Sequence, residues 1–419
     1  MVAGRQRLAV IGAGWAGLAC AVQAVRDGAA VTVFEAARTP GGRARTVDDG
    51  RVPMLDNGQH ILIGAYVETL ALIRAVGAEP ELLLERLPLS LRFADGGGLA
   101  LRPGPAVPAL LRGILTARGW RWRDRLALLR AAAGWRLAGF RCHPALTVAA
   151  LCAGLPERVL QELVDPLCVS ALNTPMAEAS ASVFLRVLRD ALLSGAGGSD
   201  LLLPRVDLGA LLPVPALRWL AAHRADIRCG ERVAAIERDG DTWQVDGTAF
   251  DRIVLACPPG EAARLAEHHA PDWSRMARAL RHEPIATVYA NAPVPLAAPM
   301  LALRSGPSAP AQFVFDRGRL GGPAGLLAFV ASAWHGERET LEAGVVAQAS
   351  AQLGMAVVPL ATYVDKRATF ACTPGLVRPS TEVAPSLFAC GDYIDGPYPA
   401  TLEGAVRSGL AAAALCCRS

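Results

Sequence analysis

The sequence predicts an α/β fold in which two domains interleave along the chain. The first 35 residues read as a strand, a glycine turn, a helix and a second strand. A later apolar strand ends at Cys257 before two prolines, and another runs into Gly391-Asp392 ahead of a C-terminal helix. A chain of 419 residues is too long for one simple core, so two domains are expected.

The N-terminal unit carries a dinucleotide-binding pattern in "RLAVIGAGWAGLACAVQAVRDGAAVTVFEA". Its glycines fit G-x-G-x-x-G, in which one makes the turn, one lets backbone approach a pyrophosphate and one lets the helix pack on the strand. The acid that ends the second strand can accept hydrogen bonds from ribose hydroxyls. A Rossmann-type site is therefore predicted. Its expected contacts are Gly12, Gly14, Ala16, Gly17, Glu35 and Ala36.

A second glycine loop follows the acid in "ARTPGGRARTV", where Gly41 and Gly42 again remove side chains near the nucleotide. An NAD domain has no general need for this loop. The glycine motif, the acid and G-G-R-x-x-T together resemble the start of the amine oxidase and phytoene desaturase superfamily. That resemblance implies FAD, and it adds Gly42 and Arg43 to the expected contacts. Cys390 lacks the sequence setting of a flavin-linked cysteine, so the FAD is expected to be non-covalent.

Polar residues interrupt the apolar run "MLDNGQHILIGAY", and buried polar groups need partners. The superfamily carries D-x-G at this place, which "LDNGQH" matches. The resemblance implies that Gly58, Gln59 and His60 face the isoalloxazine ring. The alternative is that Asp56 and Asn57 cap a turn and that His60 is a hydrogen-bonded interior residue.

Two later segments are expected to complete the FAD-binding domain. In "IRCGERVAAIERDG", the resemblance implies that the backbone of Val233 holds the adenine end. In "SLFACGDYIDGPYPATLEGAVRSG", Gly391 permits close backbone approach and Asp392 can accept from ribitol hydroxyls. The helix that begins near Leu402 would point the amides of Thr401 and Leu402 at the pyrimidine edge of the flavin, where the reduced ring carries negative charge.

These segments divide the chain into two predicted domains. Residues 1–78, 204–269 and 374–419 form the discontinuous FAD-binding domain, and residues 79–203 and 270–373 form an interleaved α+β substrate domain. Within segment 103–142, the stretch 112–141 holds eight arginines, three tryptophans and one acid. This composition fits a membrane surface, or an ordinary solvated helix pair. Lys366 and Arg367 similarly fit either a cofactor contact or a solvated strand edge.

A narrower resemblance rests on "LDNGQHILIGAY", "PLCVSALNTP", "DKRATFACTPG" and "CGDYIDGPYPATLEGAVRSG", which are spread along nearly the whole chain. These strings are similar to the squalene-associated FAD-dependent desaturases, or hydroxysqualene dehydroxylases, of hopanoid biosynthesis. The resemblance implies reductive removal of an allylic hydroxyl from a C30 isoprenoid to give squalene. Loss of hydroxide needs a proton. We expect His60 to supply or relay it, with Gln59 or Asn57 orienting the hydroxyl.

Two rival functions stay open at the sequence level. One is an oxidative carotenoid-type desaturase with the same hydride chemistry reversed. The other is a non-redox isomerase or isoprenoid-binding protein that contains FAD. The sequence offers no obvious second nucleotide motif, so it does not identify the electron donor.

Composition sets the remaining expectations. A net charge of only +4 argues against general nucleic-acid binding. The ten cysteines form no C-x-x-C pair and have no histidine at ligand spacing, which argues against a metal site and fits reduced cytosolic thiols. A cytoplasmic protein is expected, with segment 103–142 as the candidate for peripheral contact with the inner face of the cell membrane.

Overall fold

The computed structural model describes residues 5–47, 50, 52–193, 195 and 197–417, without the side chain of Leu193. Its strands are short except in the second half of the chain. In order they are β1 Arg7–Ile11, β2 Ala30–Glu35, β3 Thr46–Val47, β4 Leu55–Asp56, β5 Leu62–Ile63, β6 Leu84–Leu87, β7 Ser90–Arg92, β8 Gly98–Ala100, β9 Leu201–Pro204, β10 Asp226–Cys229, β11 Ile236–Asp239, β12 Thr242–Val245, β13 Thr248–Phe250, β14 Arg252–Leu255, β15 His282–Asn291, β16 Met300–Ala302, β17 Phe313–Asp316, β18 Leu326–Ser332, β19 Val358–Phe370, β20 Glu382–Ala384 and β21 Leu387–Ala389.

Helices fill the connections between these strands. They are α1 Trp15–Arg26, α2 Val67–Ala75, α3 Pro80–Leu83, α4 Ala106–Thr116, α5 Trp122–Leu137, α6 Val148–Leu151, α7 Glu157–Val159, α8 Asp165–Leu172, α9 Ala181–Leu193, α10 Leu208–Leu211, α11 Pro213–Ala222, α12 Pro259–Ala266, α13 Pro271–Arg278, α14 Arg338–Leu353 and α15 Leu402–Cys416.

A six-stranded sheet holds the three separated segments together. Its order is β10-β2-β1-β14-β21-β20, and all of its pairs are parallel except β20 with β21. Strands β1 and β2 come from the first predicted segment, β10 and β14 from the second, and β20 and β21 from the third. The predicted α/β fold with a discontinuous sheet domain is confirmed, while the domain boundaries themselves stay predictions.

Helices α1 and α15 pack closely against each other on one face of this sheet. The buried face of the C-terminal helix α15 includes the small residues Gly409, Ala412 and Ala413. A Cβ on Gly409 would lie 2.1 Å from the carbonyl oxygen of Ala16. The small residues therefore allow two helix backbones to meet directly, which brings both helix N-termini to the same edge of the sheet.

A second, antiparallel sheet stands apart from the first, in the order β16-β17-β18-β15-β19. All five strands lie within the predicted substrate segment 270–373, and α14 packs on β19. Helices α4 to α9 come from the other predicted substrate segment. Among the described residues, no helix is both long enough and apolar enough to cross a bilayer.

Candidate active site

A cleft of about 750 Å³ opens at the carboxyl ends of the parallel strands β1, β2, β14 and β21. This edge of a doubly wound sheet is where such folds bind their ligands. Most of the predicted cofactor and catalytic residues line the cleft together. They are Gly12, Gly14, Ala16, Glu35, Gly42, Arg43, Asn57, Gly58, Gln59, His60, Gly391, Asp392, Thr401 and Leu402.

The two glycine loops lie face to face at the floor of this cleft. The amide of Gly41 donates to the carbonyl of Ala13 at 2.8 Å, and a Cβ on Gly42 would lie 3.3 Å from Cα of Gly14. Gly12 and Gly42 both have positive φ, at +119° and +62°, where a side chain would be strained. The paired loops leave a surface of bare backbone that a pyrophosphate can approach.

Three predicted contacts lie outside the lining of the cleft. Gly17 packs beneath the first loop, where a Cβ would lie 2.0 Å from the Gly12 carbonyl oxygen, as expected for its packing role. Ala36 is exposed beyond the end of β2. Val233 is buried, and its carbonyl accepts from Arg264 at 2.9 Å. The geometry therefore does not place Ala36 or Val233 in direct contact with the cleft.

Two helix N-termini point at the cleft. Gly14 is the N-cap of α1, and Thr401 is the N-cap of α15, where its Oγ1 accepts from the amide of Gly404 at 2.9 Å. Each helix presents amide donors and a partial positive charge. The site can therefore hold a pyrophosphate at one end and a negatively charged ring edge at the other.

An ion pair joins two parts of the cleft wall between the pyrophosphate end and the ring end. Arg43 donates to Asp392, and its other nitrogen donates to the carbonyl of Ala368 at 2.8 Å. Asp392 is nearly buried and Arg43 is one-third exposed. The pair ties the second glycine loop to the segment after β21, so two distant parts of the chain are fixed across the cleft.

The polar stretch around residue 57 lines the cleft and also forms hydrogen bonds with other parts of the protein. Asn57 donates to the carbonyl of Arg43 at 2.6 Å and accepts from the amide of Arg45 at 3.2 Å, so its side chain braces the second glycine loop. Asp56 is buried and accepts from the amide of Leu208 at 2.8 Å. The Asn57 amide thus holds the second glycine loop while lining the cleft, and its role in orienting a substrate hydroxyl stays a prediction.

Gln59 and His60 face the cleft on the same segment. Gln59 donates to the hydroxyl of Tyr289 at 2.8 Å, and that hydroxyl donates to the carbonyl of Asp56 at 2.9 Å. Burial lowers the pKa of His60 from its usual value to about 4; a hydrogen bond with the backbone of Arg43 opposes this shift, and the positive charge of Arg43 adds to it. His60 is thus a neutral imidazole near pH 7, able to relay a proton but lacking the charge of an imidazolium acid.

The lining fits a flavin dinucleotide on the evidence of its own groups. The hydroxyl of Tyr393 is buried in the cleft wall and finds no hydrogen-bond partner among the described residues. A buried hydroxyl of this kind needs a partner, which a bound ligand would provide. The side-chain-free glycine surface and the two helix N-termini lie on the same cleft.

A second cavity of about 430 Å³ adjoins the cleft and is almost wholly apolar. Helices α4, α5 and α9 contribute aliphatic side chains to it, including Leu110, Leu128 and Leu188. The cavity and the cleft share seven residues, which form their junction. These junction residues are Ile61, Tyr66, Ser170, Ala171, Leu172, Phe313 and Thr401.

Several of these site residues were not assigned a role from the sequence. Residues 169–173, at the end of α8, line the cleft, and α8 follows a π-helical turn at Leu160–Val164. Asn173 has a left-handed backbone and donates to Thr369 Oγ1 at 2.9 Å. The string "PLCVSALNTP" was the available signal, but only tertiary contacts show that it lines the cleft.

Comparison with known proteins places the chain in a family. The sequence profile described as flavin containing amine oxidoreductase matches residues 15–417. The chain belongs to this family. It is a flavin-containing oxidoreductase, and together with the dinucleotide cleft this confirms the prediction of an FAD-dependent enzyme.

Individual curated relatives differ in how much of the chain they match. The hydroxysqualene dehydroxylase of Rhodopseudomonas palustris is 30% identical over 435 residues, covering 97% of this chain and 97% of that protein. The zeta-carotene desaturase of Solanum lycopersicum is 34% identical over 79 residues, only 19% of this chain and 13% of that protein. The narrower resemblance predicted from the sequence is therefore confirmed along the whole chain.

A solved structure supports the fold of this flavin-containing chain. Cyclohexylamine oxidase from Brevibacterium oxydans matches with a TM-score of 0.67 at 17% identity, covering 99% of both chains. The predicted amine oxidase-like architecture is confirmed.

Lys366 and Arg367, for which the sequence left two roles open, lie exposed on β19. Their neighbours Val364, Asp365 and Ala368 line the cleft instead.

Proposed function

We propose that this flavin-containing enzyme removes an allylic hydroxyl from a C30 isoprenoid alcohol, converting hydroxysqualene to squalene. The observation that carries the proposal is the apolar cavity, which meets the cofactor cleft at only a few polar groups. A long hydrocarbon needs an apolar channel, and its single reacting carbon needs to reach the cofactor. The full-length similarity to a hydroxysqualene dehydroxylase supports the same substrate.

The proposed reaction balances as alcohol plus hydride plus proton giving hydrocarbon plus water. The C–O bond breaks, a C–H bond forms at the same carbon, and the oxygen leaves as water after it takes a proton. Bound FAD in its reduced form would supply the hydride, after reduction by an external donor. The chain's own residues must hold the alcohol at the junction, exclude bulk water and supply the proton.

The polar residues of the cleft have separate proposed roles. Gln59 is held by Tyr289 and can orient the substrate or the cofactor edge. His60 is a neutral imidazole near pH 7 and can relay a proton without carrying a charge. Arg43 and Asp392 hold the cleft together and are proposed to contact the cofactor.

A direct assay tests the reaction. Purified enzyme with FAD, reduced anaerobically, is expected to convert hydroxysqualene to squalene, with one flavin reoxidised for each product formed. The products are measured by gas chromatography and the flavin by its visible absorbance. Turnover of phytoene-type polyenes by the oxidised enzyme, with no squalene formed, would favour the desaturase instead. Conversion of hydroxysqualene to an isomer, without any change in flavin redox state, would favour an isomerase.

We also propose that the enzyme takes its substrate from an anionic membrane surface through helices α4 and α5. Seven of the eight arginines between residues 112 and 141 are exposed, whereas the single acid, Asp124, is buried and accepts from the amide of Arg121. Leu111, Leu137 and Trp122 are exposed on the same helices. Of the three tryptophans, Trp120 is buried and Trp135 partly buried, so Trp122 provides the exposed ring.

The apolar cavity links this surface to the cleft. Exposed residues of α4 and α5, including Leu111, Ala133 and Arg136, also line the cavity. A hydrocarbon leaving a bilayer could therefore enter the cavity without crossing water. Each cationic side chain near anionic lipid contributes about 1 kcal/mol to the binding free energy. Exposed apolar side chains add to binding by inserting into the membrane interface.

Vesicle binding tests the membrane proposal. A variant with Arg112, Arg118 and Arg123 each replaced by Gln is expected to bind phosphatidylglycerol vesicles about 100-fold more weakly than wild type. Sedimentation with vesicles measures the change, and added salt should weaken the wild-type binding as well. Activity on detergent-dispersed substrate is expected to remain, because these side chains do not line the cavity.

A matched variant controls for total charge. Replacement of the exposed Arg26, Arg218 and Arg275 by Gln removes three positive charges from other surfaces. Vesicle binding of this control is expected to stay near the wild-type level. Equal weakening by both triple variants would contradict a specific surface on α4 and α5.

A further inference from the structure

A buried tyrosine on the second sheet makes three hydrogen bonds beside the cleft. Tyr289 lies on β15, and its hydroxyl accepts from the amide of Asp56 at 3.1 Å and donates to the carbonyl of the same residue at 2.9 Å. The same hydroxyl meets Nε2 of Gln59 at 2.8 Å. Burial and the Asp56 carboxylate raise the pKa of Tyr289 well above its usual value, so the phenol keeps its proton at neutral pH.

The single proton of the Tyr289 hydroxyl is already committed. Asp56 turns both its amide and its carbonyl toward this hydroxyl, and the carbonyl takes the proton. Toward Gln59 the phenol oxygen can therefore only accept a hydrogen bond. The side-chain amide of Gln59 must turn its nitrogen to Tyr289, because its oxygen would meet a lone pair there. The number of available protons thus fixes which end of the amide faces Tyr289.

The oxygen end of the Gln59 amide is left for a ligand. Among the described residues, Oε1 of Gln59 accepts no hydrogen bond, and the residue lines the cleft and is partly exposed to it. Ile61, two residues later, lines both the cleft and the apolar cavity. Two residues of extended chain span at most about 7 Å. A hydroxyl held at the junction therefore lies within reach of an unused acceptor.

The sheet that carries Tyr289 also forms one wall of the junction. Strand β15 pairs with β18, and β18 pairs with β17. On β17, Phe313 lines both the cavity and the cleft, and Ile285 on β15 lines the cleft. Tyr289 is fully buried in this sheet. The orientation of the Gln59 amide is therefore set by a rigid element that also borders the place where the substrate reacts.

We propose that Gln59 recognises the substrate by accepting the proton of its hydroxyl, and that Tyr289 is a positioning residue that holds the Gln59 oxygen toward that hydroxyl. The inference rests on the proposed dehydroxylation, and it names the ligand class as a free alcohol. A hydroxyl that donates to an amide oxygen becomes a better acceptor at its own oxygen, because successive hydrogen bonds polarise one another. Its lone pairs stay open for the proton with which it leaves as water.

Binding of an alcohol and of its ketone tests the polarity of Gln59. The ketone has the same carbon skeleton and an oxygen at the same carbon, but it has no proton to donate there. Trp135 lines the cavity, so quenching of tryptophan fluorescence in oxidised enzyme can report Kd. Wild type is expected to bind hydroxysqualene roughly tenfold more tightly than the ketone or squalene, as for one net hydrogen bond. Equal Kd for alcohol and ketone would overturn the proposal, because an N–H of Gln59 would then meet the ligand.

Two variants separate recognition by Gln59 from positioning by Tyr289. Gln59→Leu removes the acceptor and keeps both bonds to Asp56, so it is expected to abolish the preference for the alcohol. Tyr289→Phe leaves the amide free to turn and is expected to lower the preference about threefold. The double variant should lose no more than Gln59→Leu, because Tyr289 acts through Gln59. Additive losses would overturn the positioning role.

Tyr398→Phe provides the matched control. It removes a tyrosine hydroxyl from the cavity, outside the lining of the cleft. Its preference for the alcohol is expected to equal that of wild type, and all variants are expected to keep the visible FAD spectrum. Equal losses of preference in Tyr398→Phe and Tyr289→Phe would overturn the role of Tyr289.

The fate of this inference can be distinguished from that of the proposed function. Binding needs no reduction of the flavin, so a preference for the alcohol that depends on Gln59 stands even if no squalene is formed. Squalene formation by wild type, together with an unchanged preference in Gln59→Leu, would keep the dehydroxylation and overturn recognition by Gln59.

Discussion

Gly17→Ala is expected to yield protein that neither holds FAD nor keeps its normal stability. The added Cβ would lie 2.0 Å from the Gly12 carbonyl oxygen and 2.9 Å from Cβ of Ala256. Neither the first glycine loop nor the chain directly after strand β14 can give way without displacing the cleft floor. Overpacking of this kind costs about 3 kcal/mol. Visible absorbance of the purified protein and its thermal unfolding measure the two effects.

A glycine in the same domain provides the matched control. Gly260 lies exposed in the first turn of α12, and a Cβ there would meet no heavy atom within 4 Å. Gly260→Ala is expected to bind FAD normally and to be as stable as wild type, because alanine suits a helix better than glycine. Normal FAD binding by Gly17→Ala would contradict the packing role assigned to Gly17.

Asp392→Ala is expected to weaken FAD binding severely and to lower the free energy of unfolding. Its carboxylate is nearly buried and pairs with Arg43, so its removal leaves a guanidinium beside the cleft without that partner. Breaking one side of a buried pair costs about 3–5 kcal/mol. We expect the lower end, since Arg43 is one-third exposed and water can partly compensate. Denaturant unfolding and titration with FAD measure the loss.

An exposed ion pair controls for the loss of a carboxylate. Asp272 and Arg275 pair on α13 with side chains 89% and 77% exposed. Asp272→Ala is expected to change the unfolding free energy by less than about 0.5 kcal/mol and FAD affinity not at all. Asp392→Ala with wild-type affinity for FAD would contradict a role of the Arg43–Asp392 pair at the cofactor.

Much of the cofactor site followed from the sequence, because its requirements are local. Gly12 and Gly42 are needed at positions with positive φ, and Thr401 caps a helix three residues before Gly404. Such features depend on the residue type and on its close neighbours. The three glycine-bearing segments were therefore identified separately, and their meeting in one sheet was expected from the family's order of motifs.

Other residues could not be placed in this way. Asn57 and His60 stand three positions apart in one polar stretch and both line the cleft, but Asn57 also braces the backbone of Arg43 and of Arg45. The additional partners of Asn57 lie on the second glycine loop, which is close in space but not adjacent in sequence. Tyr66 likewise reads as the last residue of an apolar run, and only the fold brings it to Thr401, 335 positions later.

By itself, the sequence determined the α/β class, the FAD-binding glycine loops and the cationic composition of segment 103–142, since each depends on local residue pattern. The tertiary structure alone decided which polar groups reach the junction, that the acid of the cationic segment turns inward, and that His60 is held neutral. These properties arise from burial and from charges contributed by separate segments. Desolvation and Coulomb interactions depend on distance in space, which the order of residues along the chain does not give.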